Sequence, residues 1–129
     1  ATAIRALSNG AIVIVLYDLP ARYGRTVGVD FFGRSANFVR GPAELAVVGA
    51  ADVLPLFCHY DERGTTIAEA FPVVVAARSG DRGARVAAVT QRLCALAEAQ
   101  IRRYPSQWAH WSLLDELLAD LSRPTVASR

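Results

Sequence analysis

The run Ala11-Ile12-Val13-Ile14-Val15-Leu16-Tyr17 most narrows what this chain can fold into. It is unbroken by polar residues and rich in β-branched side chains, without the alternation of a strand that faces water on one side. Such a run is expected of a central strand covered on both faces. It is far shorter than the ~20 apolar residues that a membrane span requires. A strand of this kind needs helices on both sides of its sheet, which points to an α/β layered fold.

The rest of the sequence supplies the remaining elements. Ala3 to Leu7 has the pattern of a helix end closed by Asn9-Gly10. Asp18 to Gly24 is a loop, and Arg25 to Phe32 a second strand ending at Gly33. Gly41-Pro42 opens a short helix to about Val48, with proline where a missing N–H costs nothing, and Gly49 closes it. Asp52 to Tyr60 and Thr65 to Phe71 flank the polar turn Asp61-Glu62-Arg63-Gly64 and are expected to form a hairpin. Asp81 caps a long helix to Tyr104, with Val86, Val89, Leu93, Leu96 or Ala97, and Ile101 on one face, and Pro105 stops it. Ser112 to Leu121 reads as a last helix whose Ser112-x-x-Asp115 satisfies the capping-box pattern. The fold class expected is therefore α/β, a mixed sheet layered with helices, with residues 1–122 forming one domain and 123–129 a loose tail.

Composition sets the limits. With 129 residues there is one core and no room for two domains. The hydrophobic fraction of 53% is high for so small a unit and implies extensive burial or an apolar face for lipid or another segment. All 14 basic residues are arginine, a coding bias rather than a site, and the net charge of +2 carries no nucleic-acid footprint. Cys58 and Cys94 lack metal-ligand spacing and sit in apolar runs, so both are expected as reduced core thiols and no metal is expected. The chain has no methionine and opens inside a helical pattern, as a segment of a longer polypeptide would.

Three segments, read in order, carry a resemblance. The first is Val15-Leu16-Tyr17-Asp18. The second is Gly28-Val29-Asp30-Phe31-Phe32-Gly33-Arg34 with Ala36, continuing through Gly41-Pro42-Ala43-Glu44-Leu45-Ala46 and Gly49-Ala50 to Leu54-Pro55. The third is Ile101-Arg102-Arg103-Tyr104-Pro105-Ser106-Gln107-Trp108. Together they resemble the C-terminal half of the lysophospholipid acyltransferase superfamily, in particular the bacterial lipid A late acyltransferases and the actinobacterial phosphatidylinositol mannoside acyltransferases. Two departures stand out: Ala109-His110-Trp111-Ser112 replaces the usual continuation after Gln-Trp, and Asp18-Leu19 replaces Asp-Gln or Asp-Arg.

The resemblance implies the C-terminal half of a glycerolipid-acyltransferase-like fold. It also implies an enzyme, peripheral on the cytoplasmic face of the membrane, that moves a fatty acyl group from acyl-coenzyme A or acyl carrier protein to a lipid or glycolipid hydroxyl without a cofactor. In the family a His-x-x-x-x-Asp pair does the acid–base work, and it lies upstream of the first matched segment. The expected partner is accordingly an N-terminal segment or a second chain. His110 and Asp115 repeat the spacing, but on a continuous helix they would point roughly 140° apart. Asp18, Phe31, Phe32, Gly33 and Arg34 are the expected substrate-binding residues. Arg34 stands among Arg22, Arg25 and Arg40, opposed only by Asp30, and guanidinium groups match phosphate geometry. His59, near a strand end, is expected to face solvent. A non-catalytic lipid- or carrier-binding module that keeps the half-fold fits the same residues, and an unrelated small α/β domain with an oligomerising face is a third reading.

Overall fold

A computed structural model describes residues 2–118. Its elements are α1 (Thr2–Ser8), β1 (Thr26–Phe31), β2 (Arg34–Val39), α2 (Gly41–Gly49), β3 (Leu56–Tyr60), β4 (Thr66–Ala70), α3 (Arg82–Arg103) and α4 (Leu114–Leu117), with single 3-10 turns at 21–23, 105–107 and 111–113. The expected combination of helices and strands is present. The strands form two antiparallel pairs, β1 with β2 and β3 with β4.

Helix α3 packs against the first pair, against α2 and against Val74 and Ala76 after β4. Asp81 caps it as expected, accepting from the Ala84 N–H at 2.7 Å, which satisfies one of the free donors of the first turn. Its buried residues Val86, Val89, Thr90, Leu93, Cys94, Ala97 and Ile101 recur at helical spacing. The lower half packs with Ala43, Val47, Val74 and Ala76. The upper half packs with Val29, Phe31, Ala36, Phe38 and Leu117. Thr90, polar and buried, returns its hydroxyl to the Val86 carbonyl at 2.9 Å, so the stripe carries no unmet donor there.

The first hairpin was only half visible in the sequence. Phe32 and Gly33 form its two-residue turn, with φ of 52° and 71°, the signature of the turns that match strand twist. Glycine accepts this geometry freely, whereas a phenylalanine there costs roughly 1–2 kcal/mol. The Phe32 ring contacts offset that strain, with its centroid 4.6 Å from Phe31 and the Arg102 guanidinium 4.6 Å above it. The second hairpin is the one expected, its turn closed by Asp61 Oδ1, which accepts from the N–H groups of Arg63 at 2.9 Å and Thr65 at 2.8 Å. Gly49 sits where α1 rests on α2, and a Cβ there would lie 3.0 Å from Leu7 Cδ1, so that the leucine end would have to shift by a few tenths of an ångström.

Three expectations require correction. Ala11–Tyr17 belongs to no strand, and Ile12 and Ile14 are 90% and 89% exposed rather than covered; a β-branched run becomes a strand only where an edge takes up its backbone. The last helix begins at Leu114, after a 3-10 turn, with Leu113 at its cap and no side-chain cap bond, so Ser112 and Asp115 form no capping box. Cys58 is exposed, while Cys94 is buried as expected. The tail 123–129 and the end of the last expected helix lie outside the described residues.

The two core clusters meet on α3, so truncating its middle should weaken both. Leu93→Ala is expected to cost about 2–5 kcal/mol, against less than ~0.5 kcal/mol for Ile12→Ala. Denaturant midpoints of the two variants check this, and equal losses would contradict it.

Candidate functional site

A cleft of ≈ 320 Å³ opens between Val15–Asp18, strand β3, the C-terminal half of α3 and residues 107–110. Its floor is apolar, built from Phe57, Ala97 and Ile101, and aromatic groups ring it. Tyr17 meets Phe57 edge-on, with centroids 6.2 Å apart. His59 stacks on Tyr104 at 4.1 Å and 14°, so it is half-buried in the cleft wall and not the solvent-facing residue expected from its place at a strand end.

Asp18 closes one end. Its Oδ2 accepts from Trp108 Nε1 at 3.0 Å, and its Oδ1 stands 3.5 Å from His110 Nε2. Both side chains of this pair are largely shielded from solvent, Asp18 at 19% and His110 at 23% exposure. The segment after α3 is fixed independently. Gln107 takes the Tyr60 N–H at 2.6 Å and gives its own amide to the Tyr60 carbonyl at 3.0 Å. Gln107-Trp108-Ala109-His110 thus fastens β3 to the Asp18 loop.

Three buried polar atoms in the cleft walls have no hydrogen-bond partner among the described residues: Tyr17 Oη, His59 Nδ1 and Gln100 Oε1. Each such atom costs ~1–3 kcal/mol unless something supplies its missing bond. Burial, and secondarily the Asp18 charge, drives the Tyr17 hydroxyl well above its ordinary ionisation range, so it stays a neutral donor and acceptor. In chemical terms the cleft offers hydrocarbon contact along its floor and unmet hydroxyl, imidazole and amide groups on its sides.

The residues expected from sequence are divided between this cleft and the first hairpin. Asp18 and His110 are together in the cleft. Phe31 lies behind it, 1% exposed, with its ring 5.9 Å from Trp108 and 5.1 Å from Phe38, so core packing is its observed contact. Phe32 and Gly33 form the hairpin turn. Arg34 is exposed beside Asp30, Ser35 and Gln91 in a shallow groove and has no ion pair among the described residues, whereas Arg22 and Arg40 are neutralised by Glu116 and Glu44 at 3.0 and 2.8 Å. Asp115 is exposed on α4, and the carboxylate facing His110 is Asp18. Tyr17, Gln100 and Gln107 were missed as site residues; Tyr17 and Gln107 carried a signal, as parts of the Val15-Leu16-Tyr17-Asp18 and Pro-x-Gln-Trp segments, and Gln100 carried none.

No group of three His, Cys, Asp or Glu side chains able to hold a metal occurs among the described residues. None of the described helices is long and apolar enough to cross a membrane.

Comparison with known proteins adds independent findings. The family described as bacterial lipid A biosynthesis acyltransferase matches residues 1–113. The phosphatidylinositol mannoside acyltransferase of Mycobacterium tuberculosis is 38% identical over 96 residues, covering 74% of this chain and 28% of that protein. Its counterpart in Mycolicibacterium smegmatis is 35% identical over 96 residues, covering 74% of this chain and 29% of the protein. The chain thus aligns with well under a third of the length of these relatives.

The unpartnered hydroxyl gives a direct check on the cleft. Tyr17→Phe should leave the ligand-free chain as stable or up to ~1 kcal/mol more stable, because it removes a buried group without a partner. The variant should also change the alkaline limb. The folded-state ionisation of Tyr17 is raised, so its contribution is intact below about pH 10, where an unfolded tyrosine ionises, and is lost progressively above it; the phenylalanine variant should lose less stability there. Melting curves from pH 7 to 11 measure both effects, and a lower melting temperature for the variant at pH 7 would contradict the account.

Proposed function

The chain belongs to the bacterial lipid A biosynthesis acyltransferase family, and from that premise we propose that it works as part of an enzyme moving a fatty acyl group from an acyl thioester to a lipid or glycolipid hydroxyl. The family match across residues 1–113 is the observation that carries this reading. The mycobacterial relatives are phosphatidylinositol mannoside acyltransferases by name, which makes a phosphatidylinositol mannoside the acceptor to test. Acyl-coenzyme A or acyl carrier protein serves as donor, and the enzyme sits peripherally on the cytoplasmic face of the membrane.

Such a transfer needs a base to take the acceptor hydroxyl proton. The oxygen then attacks the thioester carbonyl, the carbon–sulfur bond breaks, and the proton goes to the departing thiolate. The base in this reading is a His-x-x-x-x-Asp pair supplied by an N-terminal segment or a second chain. The cleft contributes binding: Phe57, Ala97 and Ile101 line a path for hydrocarbon, and Tyr17, His59 and Gln100 offer partners to a hydroxyl. Arg34, exposed and without an ion pair among the described residues, meets a phosphate of donor or acceptor.

A binding module without catalysis is the second reading. It is favoured by one specific feature: Asp18, the carboxylate in the cleft, already serves Trp108 and His110. Transfer of radiolabelled palmitate from palmitoyl-coenzyme A to a phosphatidylinositol mannoside separates the two. The polypeptide that carries this chain together with the His-x-x-x-x-Asp segment should transfer label, and the 129-residue chain alone should not. Transfer by the isolated chain that is lost in His110→Ala would instead place the base at His110, and no transfer by either form would favour the binding module. Arg34→Ala in the active polypeptide should raise KM for the phosphate-bearing substrate while shifting stability by less than ~0.5 kcal/mol; a collapse in melting temperature with unchanged KM would make Arg34 structural.

A further inference from the structure

The turn of the first hairpin carries a side chain that its backbone disfavours. With φ of 52° at Phe32 and 71° at Gly33, it has the geometry that Asn-Gly or Gly-Gly adopts without strain. A phenylalanine in the left-handed region is an outlier, and an outlier of this kind points to a use for the side chain. The ring makes two contacts. It meets Phe31 edge-on, with centroids 4.6 Å apart, and the Arg102 guanidinium lies over it at 4.6 Å. An aromatic pair and an exposed cation–π contact are together similar in size to the strain, so the ring adds little net stability. Its remaining effect is to hold Arg102.

Arg102 is held twice over. Phe32 lies under its guanidinium, and Glu98 accepts from its Nη1 at 3.0 Å. The side chain is still 62% exposed, and its other N–H groups have no partner among the described residues. A guanidinium fixed in place with donors to spare loses little freedom on binding, which suits it to bidentate contact with phosphate. Arg103 differs, because it donates to both oxygens of Glu69, at 3.2 and 3.4 Å. At the same turn Arg34 follows Gly33, exposed and without an ion pair among the described residues. It pairs across the strands with Phe31, and cross-strand partners share a face. The Arg34 Cβ therefore leaves the sheet on the side where Phe31 packs with Ala97 and Ile101 of α3, next to Arg102 in the chain.

We propose that Arg102, held by the strained Phe32, joins Arg34 in an anion site at the tip of the first hairpin, and that this site takes a phosphate group. Phe32 is a positioning residue there, acting through Arg102. A phosphate has three acceptor oxygens, enough to receive both guanidinium groups at once. The inference deepens the reading of Arg34 as a phosphate contact and rests on it. Coenzyme A and a phospholipid acceptor both carry phosphate, so the site defines the chemistry and the experiment defines which substrate brings it.

Binding rather than transfer is the measurement, in the polypeptide that carries this chain together with the His-x-x-x-x-Asp segment. Titration calorimetry with coenzyme A reports on the donor, and sedimentation with phosphatidylcholine vesicles containing phosphatidylinositol reports on the acceptor. Arg102→Ala should weaken one of the two by about tenfold, the effect of losing a hydrogen bond to a charged group, and Arg34→Ala should weaken the same one. Arg103→Ala removes an equal charge one residue away and should leave it unchanged. Phe32→Asn should keep or raise the melting temperature, because asparagine suits the turn, and yet weaken the same ligand. Combined with Arg102→Ala it should cost no further affinity. Loss in Arg34→Ala but not in Arg102→Ala would overturn the inference and leave Arg34 as a phosphate contact. Unchanged affinity in both, or binding of neither probe by the unaltered polypeptide, would remove that reading as well. Equal losses in Arg102→Ala and Arg103→Ala would reduce the site to general charge, and additive losses or full affinity in Phe32→Asn would overturn the positioning role of the ring.

Discussion

The buried stripe of α3 is the contact on which the other elements depend. Val86, Val89 and Leu93 form one end of it and Cys94, Ala97 and Ile101 the other, so the first hairpin, α2 and the segment of Val74 and Ala76 after β4 are held by the same 22-residue helix. A two-stranded hairpin has little stability by itself in water. Against α3 the first hairpin buries Val29, Phe31, Ala36 and Phe38, the second hairpin contributes only the half-buried Phe57 to that core, and the helix gains an apolar covering that its own backbone bonds do not supply. The same arrangement places Cys94 where burial, with help from Glu98 and Asp30, pushes its thiol up to about 12. It is a packing residue in chemical character as well as in position.

Glutamine side chains complete the attachment where apolar contact ends. Gln91 takes the Asp30 N–H at 2.8 Å and donates to the Asp30 carbonyl at 2.9 Å, and Gln107 treats Tyr60 in the same way. A primary amide carries one acceptor and two donors, so it can stand in for the backbone of a neighbouring strand. The first contact fixes the first hairpin along α3, and the second ties β3 to the segment that follows the helix. The second of them also defines one end of the cleft. The cleft walls keep unmet polar groups that a purely structural core would have replaced, and the exchange of stability for binding capacity is a common property of functional sites.

Much of this was legible in the sequence because it depended on local patterns. The α3 stripe, its Asp81 cap, its stop before Pro105 and the hairpin around Asp61 follow from periodicity and turn chemistry. Ala11–Tyr17 was misjudged because β-branched composition reports a preference for extended backbone and says nothing of whether an edge is free to receive it. The first hairpin was obscured by Phe32, which takes a left-handed conformation that its residue type disfavours and that only its contacts with Phe31 and Arg102 explain. Asp18 was noticed through the family resemblance, yet its partners Trp108 and His110 lie 90 and 92 residues away in sequence, a distance that no local pattern spans. His59 and Gln100 gave no signal at all, since their significance lies in bonds left unmade.

The central claim is that the cleft between Tyr17, β3 and the end of α3 receives the lipid. Photo-crosslinking tests it most directly, using a phospholipid with a diazirine in its acyl chain and mapping the modified residues by mass spectrometry. Label concentrated at Tyr17, Phe57, Ile101 and Tyr104, and displaced by excess unlabelled lipid, is the predicted result. Label spread over exposed Ile12, Ile67, Val73 and Val75, with the cleft residues unmodified, would contradict it.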